Sequence, residues 1–329
     1  MSKSNLPPLD VKALLPPFWA RGGHQQTLWG HFLPSPKVSS RGETTLLPLN
    51  DGDKLLIEIF DRQSPVVVSL YHGLSGDTNA DYMQRSALLC ERLGFTCVLV
   101  NHRGAGPIKG LAKKPYHSGI AEDISSVLDF LKVRFPQAQQ IAVGFSMSGN
   151  ILLNLVSGNR GSTKPDAAIS VNAPINLSRA SQLLHHGFNK VYDKRFINIL
   201  SEVFYAKQNM GLIDPQLRIP KNATIWDLDE IFTAPLCGFK DRTDYYENCS
   251  TYRHVHKISV PTYVLTAADD PFVSAIDYLE NSWSPWAQVR IEKHGGHLGF
   301  ISHRRDSPFG RRWLDQYLES ALKQLSSRS

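Results

Sequence analysis

Short apolar runs with little alternation, separated by stretches of helical periodicity, restrict the fold of this chain most. Residues 66–71 read VVVSLY and residues 96–100 read TCVLV; shorter relatives of the same pattern follow at 141–143, 167–171, 262–266 and 289–291. Strands that are apolar on successive residues are covered on both faces, which antiparallel sheets with one wet face do not need. Between them, residues 82–93, 120–135 (stopped by Pro136) and 150–156 carry helical spacing. The alternation predicts an α/β fold with a mostly parallel sheet covered by helices on both sides. Ahead of it, ETTLLPLNDGDKLLIEIF (residues 43–60) predicts a hairpin, because Asn50-Asp51-Gly52 supplies the chemistry of a tight reversal.

The rhythm breaks after the strand at 167–171. Residues 176–249 read as helical, with Phe188, Tyr192, Phe196, Leu200 and Phe204 at the spacing of a core-facing stripe. The expected organisation is therefore an N-terminal arm over residues 1–42, rich in proline and aromatics, and a core over 43–175 and 250–329. A helical cap over 176–249 is inserted in that core, and a helix over 309–325 closes the chain.

Apolar residues make up 42% of the 329 and charged ones 20%, a balance that builds a sizeable core. Apolar runs stay short of a bilayer span and the first residues lack a leader pattern, so a cytoplasmic protein is expected. The net charge of +6 comes from scattered residues, apart from Lys113-Lys114 and the group Arg304, Arg305, Arg311, Arg312. Without a nucleic-acid motif beside them these read as a solvated basic face, and only weak attraction to anionic lipid is left open. Cys90, Cys97, Cys237 and Cys249 lack C-x-x-C spacing and read as small buried hydrophobes. His24, His72, His102 and His117 are too dispersed for ligand spacing. Gly104-Ala105-Gly106 lacks the following glycine of a dinucleotide fingerprint. No metal, nucleotide or other cofactor is expected, and no obligate protein partner.

The chemistry concentrates in GFSMSGN, Gly144 to Asn150, between the apolar run at 141–143 and the helix that follows. A serine on a sharp strand-to-helix turn needs small neighbours two residues to either side. Centred on Ser146, those positions hold Gly144 and Ser148. Centred on Ser148 they hold Ser146 and Asn150, a poorer fit. Ser146 is thus the expected nucleophile and Ser148 a spacer. Three loops support it, each beyond a predicted strand. VVVSLYHGLSG ends in His72-Gly73-Leu74, where the amide of Leu74, with that of Met147 after the nucleophile, would form an oxyanion hole. PTYVLTAADDPF offers Asp269 or Asp270 as an acid, and IEKHGGHLGF offers His294 or His297 as a base. The order Ser146, Asp270, His297 is the Ser, acid, His order of α/β-hydrolases.

With these motifs the sequence resembles the YheT-like α/β-hydrolases, bacterial relatives of the animal ABHD-type esterases and phospholipases. The resemblance runs through HQQT (24–27), HGLSG (72–76), NHRGAG (101–106), YHSG (116–119), IFTAPLCGF (231–239), AADDPF (267–272) and HGGHLGF (294–300). Ser148 departs from it, because the family's elbow continues with two glycines. The resemblance implies Asp270 as the triad acid, with Asp269 the runner-up, His297 as the base and His294 as a supporting residue. Animal relatives carry an N-terminal membrane anchor that this sequence does not display. The implied activity is hydrolysis of a carboxylic ester of a small-molecule or lipid-like compound through an acyl-enzyme. The aromatic cap points to a medium or long acyl chain. A thioesterase with the same triad, or a non-catalytic binding protein of this fold, is the alternative.

Overall fold

The computed structural model describes residues 4–40, 42–305 and 307–327. Eight strands form one sheet in the order β1-β2-β4-β3-β5-β6-β7-β8. They are β1 (Glu43–Pro48), β2 (Lys54–Phe60), β3 (Val66–Tyr71), β4 (Thr96–Asn101), β5 (Gln139–Phe145), β6 (Ala167–Val171), β7 (Thr262–Ala267) and β8 (Ala287–Glu292). β1 and β2 pair antiparallel about the predicted turn, β2 runs antiparallel to β4, and every pairing from β4 to β8 is parallel. Alternate side chains of one strand point to opposite faces. Val67 and Tyr71 accordingly enter one apolar core, while Val66, Val68 and Leu70 enter the other. Both faces are buried, which is why these strands read as continuous apolar runs.

The helices are α1 (Gly23–Phe32), α2 (Asp81–Arg92), α3 (Ala121–Arg134), α4 (Met147–Val156), α5 (Leu177–Leu184), α6 (Lys190–Asn209), α7 (Ile225–Leu228), α8 (Ala234–Leu236), α9 (Arg242–Cys249), α10 (Ala275–Leu279) and α11 (Trp313–Ser326). α5 to α9, with a π-helical turn at Asp229–Thr233, all lie between β6 and β7. Of the aromatic stripe, Tyr192 and Phe204 are buried, while Phe196 and Leu200 pack half-buried against the core. Phe188 sits in a 3-10 turn ahead of α6, out of helical register, and is 50% exposed.

Two expectations need adjusting. The N-terminal arm contains a helix, α1. Its only buried side chain is the polar Gln26, so no apolar periodicity announces it. The final helix begins at Trp313, four residues later than predicted, because Arg312 is drawn into an antiparallel bridge with Ile301, and Ser307 pairs with Gly310. All four cysteines are free; Cys90, Cys97 and Cys249 are buried and Cys237 is partly so.

Candidate active site

The site assembles at the carboxyl ends of β3, β5, β6, β7 and β8, where open parallel sheets place their ligands. β5 ends at Phe145 and α4 begins at Met147, leaving Ser146 alone to reverse the chain. Its backbone takes φ 54°, ψ −121°, a conformation that non-glycine residues avoid. The turn is held from outside: the Ser146 amide donates to the Val171 carbonyl (2.8 Å), and the Gly149 amide donates back to the Ser146 carbonyl (2.8 Å). A Cβ at Gly144 would lie 2.4 Å from the Ser148 carbonyl oxygen, so the strand can pass this close to α4 only without a side chain there.

Ser146 Oγ lies 2.8 Å from His297 Nε2, and His297 Nδ1 lies 2.8 Å from Asp270 Oδ2. Asp270 is oriented through its other oxygen, which accepts from the amides of Phe272 (3.1 Å) and Val273 (3.0 Å). Asn172 Nδ2 donates to Asp270 Oδ2 (2.6 Å) and to the Gly296 carbonyl (3.1 Å), joining the acid to the histidine loop. The other aspartate faces elsewhere: Asp269 accepts from the Gly296 amide (2.8 Å) and lies 3.5 Å from His294 Nδ1. The structure thus brings Asp270 to His297 and pairs Asp269 with His294.

The histidine loop is clamped by α1. The His297 amide donates to Thr27 Oγ1 (2.9 Å), while Gln26 donates to the Ile301 carbonyl (3.0 Å) and accepts from its amide (2.6 Å). Backbones touch here, since a Cβ on Gly30 would lie 2.6 Å from the Gly299 Cα. The sequence showed HQQT as a motif without a role. In the structure Gln26 and Thr27 of this motif dock α1 on the histidine loop.

Ser148, the departure from the elbow pattern, is fully buried, so no substrate carbonyl can reach it. Its hydroxyl donates to the His72 carbonyl and accepts from His102 Nε2 (2.6 Å). The His102 amide donates to His72 Nε2 (3.2 Å), which leaves the other His72 proton on Nδ1, directed at the Gly73 carbonyl (2.8 Å). Burial holds His72 at a pKa of about 4 and His102 well below its ordinary value, so both imidazoles are neutral near pH 7. The peptide that joins Gly73 to Leu74 is therefore fixed by its carbonyl, and the preceding peptide is held by Ser148 at its carbonyl and by Tyr82 Oη at the Gly73 amide (3.0 Å). No described residue accepts a backbone hydrogen bond from Leu74 or Met147. The loop carrying His102 is anchored in turn by Arg103, which makes paired bonds to Asp123 (2.8 and 2.6 Å) and reaches Asp51 (2.7 Å) and Asp53 (3.1 Å).

A cavity of about 110 Å³ opens over Ser146, with Leu74 and Met147 in its floor. Its roof is largely apolar and comes from the helices between β6 and β7, including Leu184, Phe196, Leu200 and Phe232. Phe272 closes one side and packs its ring 4.1 Å from that of His297. Among the described residues no group of three or more His, Cys, Asp or Glu side chains is arranged to hold a metal ion. None of the described helices is long and apolar enough to cross a membrane.

Comparison with known proteins gives the family of the fold. Residues 66–304 match the α/β hydrolase fold family. Over 286 residues the chain is 30% identical to "Putative esterase YheT" of Escherichia coli, covering 84% of this chain and 83% of that one. It is 27% identical to phospholipase ABHD3 of Mus musculus, covering 89% and 74%. Among solved structures, the Pyrococcus furiosus esterase Pf2001 superposes with a TM-score of 0.57 at 14% identity, covering 90% and 99%, which is a likeness of fold.

Proposed function

The chain belongs to the α/β hydrolase fold family, beside YheT, and from that premise we propose that it is a serine hydrolase cleaving carboxylic esters through an acyl-enzyme. The observation that carries this reading is the continuous line of contacts from Ser146 Oγ to His297 to Asp270, both links 2.8 Å, starting from a strained turn.

In this mechanism His297 Nε2 takes the proton of Ser146 as Oγ bonds to the acyl carbon. The negative charge that develops on the carbonyl oxygen meets the amides of Leu74 and Met147. His72, through the Gly73 carbonyl, keeps the first of these turned toward the site. Asp270 holds the imidazole in the tautomer with Nδ1 protonated and stabilises its cation. His297 then gives its proton to the leaving alcohol as the carbon–oxygen bond breaks. A water, deprotonated by His297, attacks the acyl-enzyme and frees the acid and Ser146.

The helices between β6 and β7 act as a cap in this reading. A cavity of 150 Å³ admits benzene, so the 110 Å³ space takes an acyl group of roughly four carbons. The medium or long chain that the aromatic cap pointed to is thus too large for this space unless the cap moves. A small-molecule ester or a lipid-like one is the class of partner this implies.

The test is hydrolysis of p-nitrophenyl esters from acetate to palmitate by the wild type and Ser146→Ala. Loss of at least three orders of magnitude in the variant, with an optimum at short chains, is expected. Unchanged hydrolysis by Ser146→Ala refutes the assignment. Turnover of acyl thioesters alone turns it to a thioesterase.

A further inference from the structure

One wall of the cavity over Ser146 is out of keeping with the rest. Among the largely apolar residues from the cap stands Asp229, on the π-helical turn between α7 and α8. Tyr246 Oη donates to its Oδ2 (2.7 Å), and Ser181 lies 3.1 Å from the same phenol oxygen; Ser181, Thr233 and Tyr246 also line the cavity. Asp229 is surrounded by protein, and burial pushes its carboxyl up to about 6. Hydrogen bonds from Tyr246 and Thr233 and the positive charge of Arg242 oppose that rise, and Asp193 adds to it. Asp229 is nonetheless only partly buried, and the space it borders is the cavity shared with Ser146. Above pH 6 it is mainly ionised, a charged acceptor in a largely apolar chamber.

An ionised carboxylate in such a wall discriminates. A plain alkyl chain packed against it displaces water from the oxygens and returns no hydrogen bond, which is unfavourable. A chain with a hydroxyl at the right carbon replaces that water by a donor, and hydrogen bonds to charged acceptors are the strong ones. Sites built to bind a substrate hydroxyl reject the analogue without it far better than apolar pockets reject an extra methylene. π-Helical turns also recur where a side chain is set for function, because the extra residue re-aims it.

We propose that Asp229, supported by Tyr246 and Thr233, is a recognition site for a hydroxyl group on the chain bound in the cavity, so that the preferred substrates are esters of short hydroxylated acids. The inference rests on the serine-hydrolase reading of Ser146 and adds the class of acyl group to it. Asp229 positions and selects substrate in this scheme and takes no part in bond making.

The experiment compares kcat/KM for two matched pairs, p-nitrophenyl butyrate with 3-hydroxybutyrate and p-nitrophenyl propionate with 3-hydroxypropionate, in the wild type and in Asp229→Asn. Asparagine keeps the shape and an acceptor for Tyr246, so the fold is retained, and circular dichroism checks this. The wild type is expected to favour the hydroxylated member of at least one pair by about tenfold, and the variant by less than about threefold. A wild-type ratio near one, or a preference that Asp229→Asn leaves in place, overturns the proposal even when both esters turn over well. Labelling of Ser146 by a fluorophosphonate, measured on the same samples, separates the two levels. Labelling without hydroxyl preference sinks only the role of Asp229, whereas no labelling and no hydrolysis of either pair sinks both.

Discussion

Replacing Ser148 by alanine removes one oxygen, does so at a position no substrate touches, and should still slow catalysis. The hydroxyl joins His102 Nε2 to the carbonyl of His72. Without it the His102 N–H falls back on that carbonyl at 3.3 Å, a weak contact. An unsatisfied buried donor costs about 1–3 kcal/mol, and the fallback puts this case near 1 kcal/mol. For a chain of this length that lowers Tm by about 2 °C. The larger effect is expected in turnover. Full loss of one oxyanion donor removes about 10²–10³ in kcat. Here the peptide joining Gly73 to Leu74 keeps its bond from His72, and its upstream neighbour loses one of its holds while keeping that of Tyr82 on the Gly73 amide. A loss of about tenfold in kcat follows, with KM within about twofold because the cavity walls are unchanged. The assay is steady-state hydrolysis of p-nitrophenyl butyrate beside a thermal melt. A Ser148→Ala enzyme with wild-type kcat and a lowered Tm would refute the coupling and leave the Ser148 network a packing device.

Three further outcomes follow from other contacts. Thr27→Val removes the acceptor for the His297 amide; kcat should fall about threefold to tenfold with little change in far-UV circular dichroism, and an unchanged kcat would show that the clamp does not orient the base. Burial holds His117 at a pKa of about 3 against an ordinary 6.5, so the unfolded chain binds the extra proton between those values and stability is lost as pH falls below 6.5. Between pH 7 and pH 5 the wild type should lose about 2 kcal/mol more than His117→Phe, read from urea midpoints; equal losses would contradict a neutral buried imidazole. Arg85 and Asp315 form an ion pair 1% exposed on each side, Arg85 Nε lying 3.0 Å from the carboxylate. Arg85→Met alone should destabilise by about 3–5 kcal/mol and the double variant Arg85→Met, Asp315→Leu by much less, because the second change removes the stranded charge.

The sheet was legible because burial on both faces writes itself as mainly apolar runs, without polar alternation, in β3, β4 and β6. Ser146 was legible because its turn demands small residues around it, and Asp270 and His297 because each follows a strand. Where reading failed, the determinants are polar and distant. α1 docks through Gln26, whose partners are the carbonyl of Ala20 and the backbone of Ile301, and no periodicity encodes such a contact. Asn172 meets Asp270 across 98 positions, and nothing next to it in the chain marks it. Ser148 read as a small spacer, whereas it is the hub that connects His72 to His102. Asp229, two residues before IFTAPLCGF, did not stand out, because a carboxylate in a helical stretch usually faces water.

The hold of α1 on the histidine loop also orders events in time. Thr27 and His297 are 270 residues apart, and Ser146 stands between them. During synthesis the first partner leaves the ribosome long before the second, so the elbow and the strands around it are made while the base does not yet exist. Closing so long a loop comes late and slowly. Nascent chains, and products of premature termination ahead of residue 297, therefore hold a serine with nothing to activate it. Under the proposed mechanism, Ser146 becomes a nucleophile only when the fold is complete.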